Sequence, residues 1–406
     1  MTERLRSPAR GVGRRVADGA SFGGVYVHVP FCGRRCSYCD FAIAVRRDVP
    51  VREFVDAVLA EIEIRRVQPI GGALRTLYLG GGTPSKLGAD GLTALIRGIA
   101  HRLGVDELST SPDRLEVTIE VNPEDVTAEA AAAWAGAGVN RASVGVQSFD
   151  PKVLTWMHRE HGPDQAELAF RTLRAAGIQE LSLDLIFAVP EALARDWDAD
   201  LERAIALEPD HLSLYGLTVE PQTPLGKWTA RGEVTEAPEE WYEGEFLRAD
   251  ARLAAAGFEH YEVSNYARPG KRARHNSSYW KGIPYLGLGP SAHGFDGIER
   301  RWNRPAYASW LEAVQGGADP MEGREVIGPS ERVAESVYLG LRTTDGLEVG
   351  RGELATVRPW VDAGWAELRP AGSEGRADAS RLVLTPSGWL RLDSIAAALT
   401  SLRSRS

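Results

Sequence analysis

From Val25 onward the chain alternates short apolar runs, rich in β-branched residues, with longer segments whose apolar residues recur every three or four positions. The short runs are typical of buried strands and the longer segments of amphipathic helices. Their regular alternation predicts an α/β fold built from six βα units around a parallel sheet. The predicted strands are Val25–Val29, Arg75–Leu79, Leu115–Val121, Arg141–Val146, Leu181–Phe187 and His211–Tyr215. The predicted helices are Val51–Arg66, Asp90–Arg102, Ala128–Ala135, Asp164–Ala176, Asp196–Leu207 and Glu239–Ala256.

Polar and glycine-rich stretches follow these strands at their carboxyl ends, where parallel barrels place functional residues. A cysteine-containing loop follows the first strand, and LGGGTPS at Leu79–Ser85 follows the second. Glu120, Gln147 and Asp184 lie in or at the end of the next three strands. The glycines permit close approach of a ligand to the backbone, although an ordinary tight turn has the same pattern. A carboxylate within an apolar strand, as at Asp184, needs a buried partner.

All three cysteines of the chain, Cys32, Cys36 and Cys39, lie on that first loop. Three thiolates within so short a span predict a metal site. Iron–sulfur clusters usually take four cysteine ligands, so three would leave one iron open to another ligand. Zinc with His28 as a fourth ligand is an alternative, although zinc sites usually draw ligands from two separated pairs. Three unrelated buried thiols remain a second alternative, and the odd count disfavours a disulfide.

Composition restricts the class of protein. The 406 residues are 43% apolar and 25% charged, which is typical of a globular protein of about two domains. A net charge of −9 argues against a nucleic-acid surface. No apolar run reaches the roughly 18–20 residues of a membrane span. The first twenty residues carry five arginines and no apolar core, so we expect a disordered basic extension over residues 1–24 and a cytoplasmic protein.

The spacing Cys32-x3-Cys36-x2-Cys39, with Tyr38 before the last cysteine, resembles the signature of radical S-adenosylmethionine (SAM) proteins. The resemblance implies a partial (β/α)6 TIM-like barrel, a [4Fe-4S] cluster on the three cysteines and SAM on the open iron. GGGTP resembles the motif of that superfamily for the methionine amino group. One-electron reduction of such a cluster would cleave the sulfonium, which is chemistry of the cofactor and not of a side chain.

More narrowly, YVHVPFC, GGGTPS, EVNPE, VGVQSFD and DLIFAVP resemble the coproporphyrinogen oxidase-like branch of the superfamily. The resemblance implies which residues contact SAM, and Tyr38 matches an aromatic residue near the adenine. The other matching positions are Tyr26, Gly81, Gly82, Thr83, Glu120, Gln147, Arg159 and Asp184. The residue types agree with these roles, because Arg159 can hold a carboxylate and Asp184 can accept hydrogen bonds from ribose hydroxyls.

Two functional types share this branch, and three features favour the heme-chaperone type, HemW. Asp40-Phe41 stands where the oxygen-independent oxidase has a further cysteine, only 24 residues precede Val25, and RHNSSYW at Arg274–Trp280 contains the HNxxYW motif. The resemblance implies a protein that binds heme and passes it to an acceptor hemoprotein, with an electron donor for the cluster and no nucleic acid. It allows transient contact with membrane hemoproteins. The alternative is an oxygen-independent coproporphyrinogen III dehydrogenase.

Histidines supply candidate heme ligands, because neutral imidazole commonly ligates heme iron. His275 is the candidate in RHNSSYW, with a structural role at a domain junction as the alternative. His293, in a glycine-rich stretch, could likewise be a heme ligand or have only a structural role. His158 and His161 could form a pair or lie exposed at the end of a helix.

Beyond about Arg300 the βα pattern stops, which predicts a barrel domain over residues 25–300 and a smaller domain over residues 301–406. The smaller domain is predicted to be mainly helical and winged-helix-like. Its predicted elements are a helix at Val333–Leu341, a turn into a further helical segment at GLRTTDGLEV, a strand at Arg381–Thr385 and a helix at Ser387–Ala398.

Overall fold

The computed structural model describes residues 21–69, 74–105, 115–370 and 379–405. The strands are β1 Ser21–Phe22, β2 Gly24–Val29, β3 Phe31–Cys32, β4 Ala44–Val45, β5 Gln68–Pro69, β6 Thr76–Gly81, β7 Glu116–Val121, β8 Arg141–Gln147, β9 Glu180–Phe187, β10 His211–Gly216, β11 Glu259–Glu262, β12 Asn265–Ala267, β13 Tyr285–Leu288, β14 His293–Phe295, β15 Glu299–Asn303, β16 Met321–Val326, β17 Leu347–Val349, β18 Ala366–Pro370 and β19 Ser380–Leu384. The helices are α1 Val51–Arg65, α2 Gly88–Arg102, α3 Ala128–Gly136, α4 Pro151–Trp156, α5 Pro163–Ala175, α6 Trp197–Ala206, α7 Pro224–Ala230, α8 Glu239–Ala255, α9 Arg274–Trp280, α10 Tyr307–Gln315, α11 Pro329–Arg342, α12 Leu354–Asp362, α13 Pro386–Trp389 and α14 Leu392–Arg403.

Six parallel strands lie side by side in the order β10-β9-β8-β7-β6-β2. They are the six strands that the sequence predicts, and α1, α2, α3, α5, α6 and α8 are the six predicted helices. The α/β class and the partial barrel are therefore confirmed. The sheet continues through β12 and β11 at one edge and through β13 to β16 at the other, and among the described residues these two ends do not pair with each other, so the barrel stays open.

The two faces of the parallel strands differ in chemistry. Val25, Val27 and Val29 on β2 are fully buried in the apolar core that also contains Phe54 of α1. The alternate residue Tyr26 points to the other face, where its ring stacks on Tyr78 at a centroid distance of 6.0 Å. Because successive side chains on a strand point to opposite faces, the helices cover the apolar face and the inside of the partial barrel is lined by polar and aromatic groups.

The C-terminal part of the chain forms a small sheet with helices, and its elements were predicted only in part. A three-stranded antiparallel sheet, in the order β17-β19-β18, packs with α11, α12 and α14. GLRTTDGLEV was predicted to turn into a helical segment, and this is wrong: it turns into β17, whose Leu347 and Val349 are buried while the residue between them is not. The predicted helix Ser387–Ala398 is divided into α13 and α14.

The predicted boundary between the two domains, at residue 300, remains a prediction. Strand β15 spans residue 300, and β16 still belongs to the main sheet. Most of the extension predicted over residues 1–24 lies outside the described residues.

Candidate functional site

A cavity of about 450 Å³ opens at the carboxyl ends of the parallel strands. Most of the predicted site residues line it, although they come from loops far apart in the sequence. These lining residues are Cys32, Cys36, Tyr38, Cys39, Gly81, Gly82, Thr83, Glu120, Gln147, Arg159 and Asp184. Tyr26 is not among them, because its ring lies beneath the cavity against Tyr78.

The loop that carries the cysteines is held by one backbone hydrogen bond between its own ends and by two to other parts of the chain. Arg46 N donates to Cys32 O at 3.0 Å, which joins the two ends of the loop. Ser37 N donates to Met157 O at 3.2 Å, just after α4, and Ser37 O accepts from Leu225 N of α7 at 2.8 Å. The two short helices α4 and α7 thus fix the position of the cysteine loop. Neither of them is among the helices predicted from the sequence.

The thiols face charged and polar groups across the cavity. Cys36 Sγ accepts a hydrogen bond from Arg159 Nη1 at 3.5 Å, and Cys32 Sγ lies 3.4 Å from Thr83 Oγ1. Burial raises the pKa of the Cys32 thiol and raises the pKa of Cys39 to about 11. Without metal these two thiols are therefore protonated at neutral pH, and a bound metal would displace the protons because thiolates are the ligands.

The donor set fits an iron–sulfur cluster better than a single zinc ion. In the described ranges, no three His, Cys, Asp or Glu side chains converge on a point where one ion could sit. His28, the proposed fourth zinc ligand, has its ring nitrogens 3.2 Å from Tyr26 Oη and 2.9 Å from Ala42 O. A cluster with several irons does not need its thiolates to converge on one point, since each can bind a different iron.

The glycines of GGGTP are required by packing against the cysteine loop. Gly81 has φ +107°, and a Cβ there would lie 2.5 Å from His28 Nδ1. A Cβ on Gly82 would lie 2.7 Å from the Pro30 backbone carbon. The absence of side chains lets this turn reach the end of β2 and places Thr83 beside Cys32. The sequence predicts that the glycines let a ligand approach the backbone. Close packing of this turn against His28 and Pro30 is a second reason for glycine, which the sequence alone did not reveal.

Two partly buried carboxylates lie at the base of the cavity. Glu120 accepts hydrogen bonds from Tyr78 Oη at 2.7 Å and from Gly81 N at 3.0 Å, and Asp184 accepts from Ser143 Oγ at 2.9 Å. Burial, with a smaller effect of Asp184, raises the pKa of Glu120 to about 7. Burial also raises the pKa of Asp184 to about 6. Two partly buried acids without a bonded lysine or arginine in the described part of the chain favour a ligand that carries positive charge.

Arg159 provides a partly buried positive charge on the wall of the same cavity. Its Nη2 donates to Asn122 Oδ1 at 2.7 Å and to Gly145 O at 2.8 Å, which fixes the guanidinium plane. Its buried Nε has no hydrogen-bond partner among the described residues. Gln147 enters the cavity from an irregular end of β8, where its φ is +66°. The cavity therefore offers both a cation, Arg159, and carboxylates such as Glu120 and Asp184 to a ligand of mixed charge.

His275 lies at the other end of the barrel. Its Nδ1 is 2.8 Å from Thr76 Oγ1, its Nε2 is 2.7 Å from Tyr279 Oη, and its backbone N donates to Glu116 Oε1 at 2.7 Å. Thr76 and Glu116 begin β6 and β7, so this cluster marks the amino ends of the strands. The imidazole is 1% exposed, and burial lowers its pKa to about 3. Heme ligation by His275 would require it to leave this network, which favours the structural alternative.

The predicted pair of His158 and His161 does not form. His161 is buried, with its ring nitrogens 3.3 Å from Glu124 Oε2 and 3.1 Å from Val146 O. His158 lines the cavity and packs edge-on against Trp228. Tyr215 also lines the cavity and was missed by the sequence analysis. It follows Ser213 at the two-residue spacing of inward-facing strand positions, which is the signal that could have identified it.

Comparison with known proteins shows which family the chain resembles. Residues 26–204 match the family model described as the Radical SAM superfamily. A protein of Synechocystis named Heme chaperone HemW is 38% identical over 84% of this chain and 86% of its own length. A protein of the same name from Mycobacterium tuberculosis is 36% identical over 93% of this chain and 94% of its own length.

Among solved structures, coproporphyrinogen III oxidase (HemN) of Escherichia coli has a TM-score of 0.74 over 95% of this chain and 92% of its own. Its sequence identity of 18% supports a shared fold and nothing finer. Among the described residues no helix has the length and apolarity to span a bilayer.

Proposed function

Because the chain belongs to the HemW family of radical SAM proteins, we propose that it binds a [4Fe-4S] cluster, SAM and heme and transfers heme to an acceptor hemoprotein. The observation that carries the first two ligands is the cavity that brings together the three cysteines, the acids Glu120 and Asp184, and Arg159. The name of the relatives, heme chaperone, supports heme as the transferred group.

Cys32, Cys36 and Cys39 would hold the cluster, which supplies one reducible centre and one open iron when it is bound. The protein contributes position and shielding. Thr83 and Arg159 contact two of the sulfur atoms, and hydrogen bonds to cluster sulfurs tune reduction potential. Tyr38 lies on the cysteine loop and lines the cavity, next to the apolar Ile186.

SAM carries an amino group, a carboxylate and ribose hydroxyls, and the cavity contains groups of suitable chemistry for each of them. We assign the carboxylate to Arg159, whose Nε is unpaired among the described residues. Glu120 and Asp184 provide acceptors for the amino and hydroxyl groups, and Gln147 lies between them on β8. Gly81, Gly82 and Thr83 form the adjoining wall, and Tyr26 supports Tyr78 from below.

The affinity for SAM is expected to fall as the pH is lowered from 8 to 6. The pKa of Glu120 is about 7 and that of Asp184 about 6, so both are ionised at pH 8 and Glu120 is mostly protonated at pH 6. A cationic ligand binds the ionised forms, so the protons must leave before binding, and the dissociation constant should rise roughly tenfold or more. Calorimetric titration of cluster-loaded protein at several pH values measures this dependence.

Glu120→Gln is the matched control because it keeps the shape and removes the titration. It should bind SAM more weakly at pH 8 and lose most of the pH dependence between 8 and 6. An unchanged pH profile in Glu120→Gln, or a wild-type affinity that does not vary with pH, would contradict a role for these acids in binding a cation.

The proposed partners are heme, an acceptor hemoprotein and an electron donor for the cluster, in the cytoplasm and without nucleic acid. Contact with a membrane hemoprotein would be transient. The deciding experiment incubates heme-loaded protein, with its cluster intact, with a panel of apo-hemoproteins and follows the appearance of holo-acceptor. Transfer that is faster than from free heme supports a chaperone, and failure to bind heme at all would refute it.

The alternative, a coproporphyrinogen III dehydrogenase, is tested on the same preparation. Reduced, cluster-loaded protein is supplied with SAM and coproporphyrinogen III, and carbon dioxide is measured. Release of two carbon dioxide molecules per substrate would contradict a purely chaperone function, and the absence of release alongside heme transfer would support it.

A further inference from the structure

The eight histidines differ in what their ring nitrogens contact. An imidazole binds iron through the lone pair of a ring nitrogen, so a ring whose nitrogens are both hydrogen-bonded must first lose a bond. Five of the eight rings are held in this way and are poor candidates for a heme ligand. They are His28, His161, His211, His260 and His275.

The rings of His101, His158 and His293 have no hydrogen bond to any described residue. His101 lies in the last turn of α2, an exposed position with no aromatic contact in the described chain. His158 lines the cavity that we assign to SAM, and its ring is packed edge-on against Trp228 at 5.5 Å. His293 is exposed on β14 and does not line that cavity, so a ligand on it would not compete with SAM.

His293 stands on a strip of aromatic side chains. It is in register with Trp302 of β15, and the two rings are stacked at 5.9 Å with planes 25° apart. Phe295 follows on the same face of β14, about 6.6 Å farther along by the rise of a strand. Gly323 of β16 is in register with Trp302, and a Cβ there would lie 2.5 Å from the indole, so the glycine lets the ring lie close against the sheet.

The ionisation of His293 also suits a metal ligand. Burial and the nearby charge of Arg300 lower its pKa, so the ring is neutral at pH 7 with a lone pair available. Arg300 is itself ion-paired with Glu335, and its guanidinium lies over the Phe295 ring at 5.9 Å from the ring centre, so it covers the strip at the Phe295 end and leaves His293 and Trp302 as the open part.

We propose that His293 is a ligand of heme iron and that Trp302 contacts the porphyrin ring. The inference rests on the proposed heme-binding function and deepens it, because it places the transferred heme on the face of β14 and β15, outside the cofactor cavity. A flat apolar ligand matches a flat aromatic strip, and a neutral imidazole on that strip supplies the iron ligand. An exposed site suits a group that is to be passed to another protein.

The test is a titration of cluster-loaded protein with ferric heme, followed by difference absorption spectra. We expect His293→Ala to weaken binding at least tenfold and to lose the spectral signature of imidazole ligation. Added imidazole should restore that signature in His293→Ala, since the aromatic strip remains. His101→Ala is the matched control, because it removes an exposed imidazole without ring hydrogen bonds from a position outside the cavity and should leave both affinity and spectrum unchanged.

Three results overturn the inference. If wild-type protein binds heme and His293→Ala binds it with the same affinity and spectrum, the ligand assignment fails while the proposed function stands. A folded His275→Ala that loses heme binding while His293→Ala keeps it would give the role to the HNxxYW motif. If the wild-type protein binds no heme, the proposed function fails together with this inference.

Discussion

Replacement of Cys36 with alanine is expected to abolish the iron–sulfur cluster. The remaining Cys32 and Cys39 would leave two irons of the cubane without protein ligands, and two thiolates cannot hold it. Cys36 is only partly buried, so its removal should not create a large cavity in the core. The measurement is iron and acid-labile sulfide per chain in protein purified without oxygen, together with the visible absorption of the cluster, and we expect both to fall to near zero.

The control for this prediction is Asp40→Asn, next to Cys39 on the same exposed loop. It should retain iron, sulfide and absorption, because Asp40 is not a proposed ligand. A cubane spectrum of normal intensity in Cys36→Ala would overturn the assignment of the three ligands. Zinc without labile sulfide in the wild-type protein would instead revive the zinc alternative, in spite of the hydrogen bonds that occupy His28.

Replacement of Arg195 with alanine is expected to cause the largest loss of stability. Arg195 Nη2 donates to Glu245 Oε2 at 2.6 Å, its Nη1 lies 3.5 Å from Asp200 Oδ2, and all three side chains are at most 5% exposed. Nη1 also donates to Ile186 O of β9. Removing the cation leaves two buried carboxylates, a change that typically costs about 3–5 kcal/mol of unfolding free energy. Urea unfolding followed by circular dichroism measures the shift.

The matched control is Arg203→Ala on α6. Arg203 Nη2 pairs with Glu167 at 2.6 Å, but its side chain is 36% exposed, so the expected loss is no more than about 1 kcal/mol. Equal losses in the two variants would contradict the proposed importance of the buried triad. A lower SAM affinity in the folded fraction of Arg195→Ala would further indicate that the triad holds the carboxyl end of β9, on which Asp184 and Ile186 line the cavity.

Much of the barrel was predictable because its information is local. Each βα unit repeats an apolar run and a three- to four-residue spacing, and the six predicted strands and helices differ from the observed ones by at most two residues at each end. Prediction was weaker where elements are short. Helices α4 and α7 have six and seven residues, too few for periodicity to register, and strand β17 has three.

The sequence by itself determined which functional groups follow or lie on which strands: the cysteine loop after β2, GGGTP after β6 and the acids on β7 and β9. Motif spacing along one loop is local, so the ligand set and the family could be inferred without coordinates. Only the tertiary structure decided what each histidine does, since the partners that occupy a ring are distant in sequence. His275 is paired with Thr76 across a separation of 199 residues, whereas His293 is left open beside Trp302. Local spacing specifies elements and motifs, but hydrogen-bond partners and exposure depend on which elements the fold brings together.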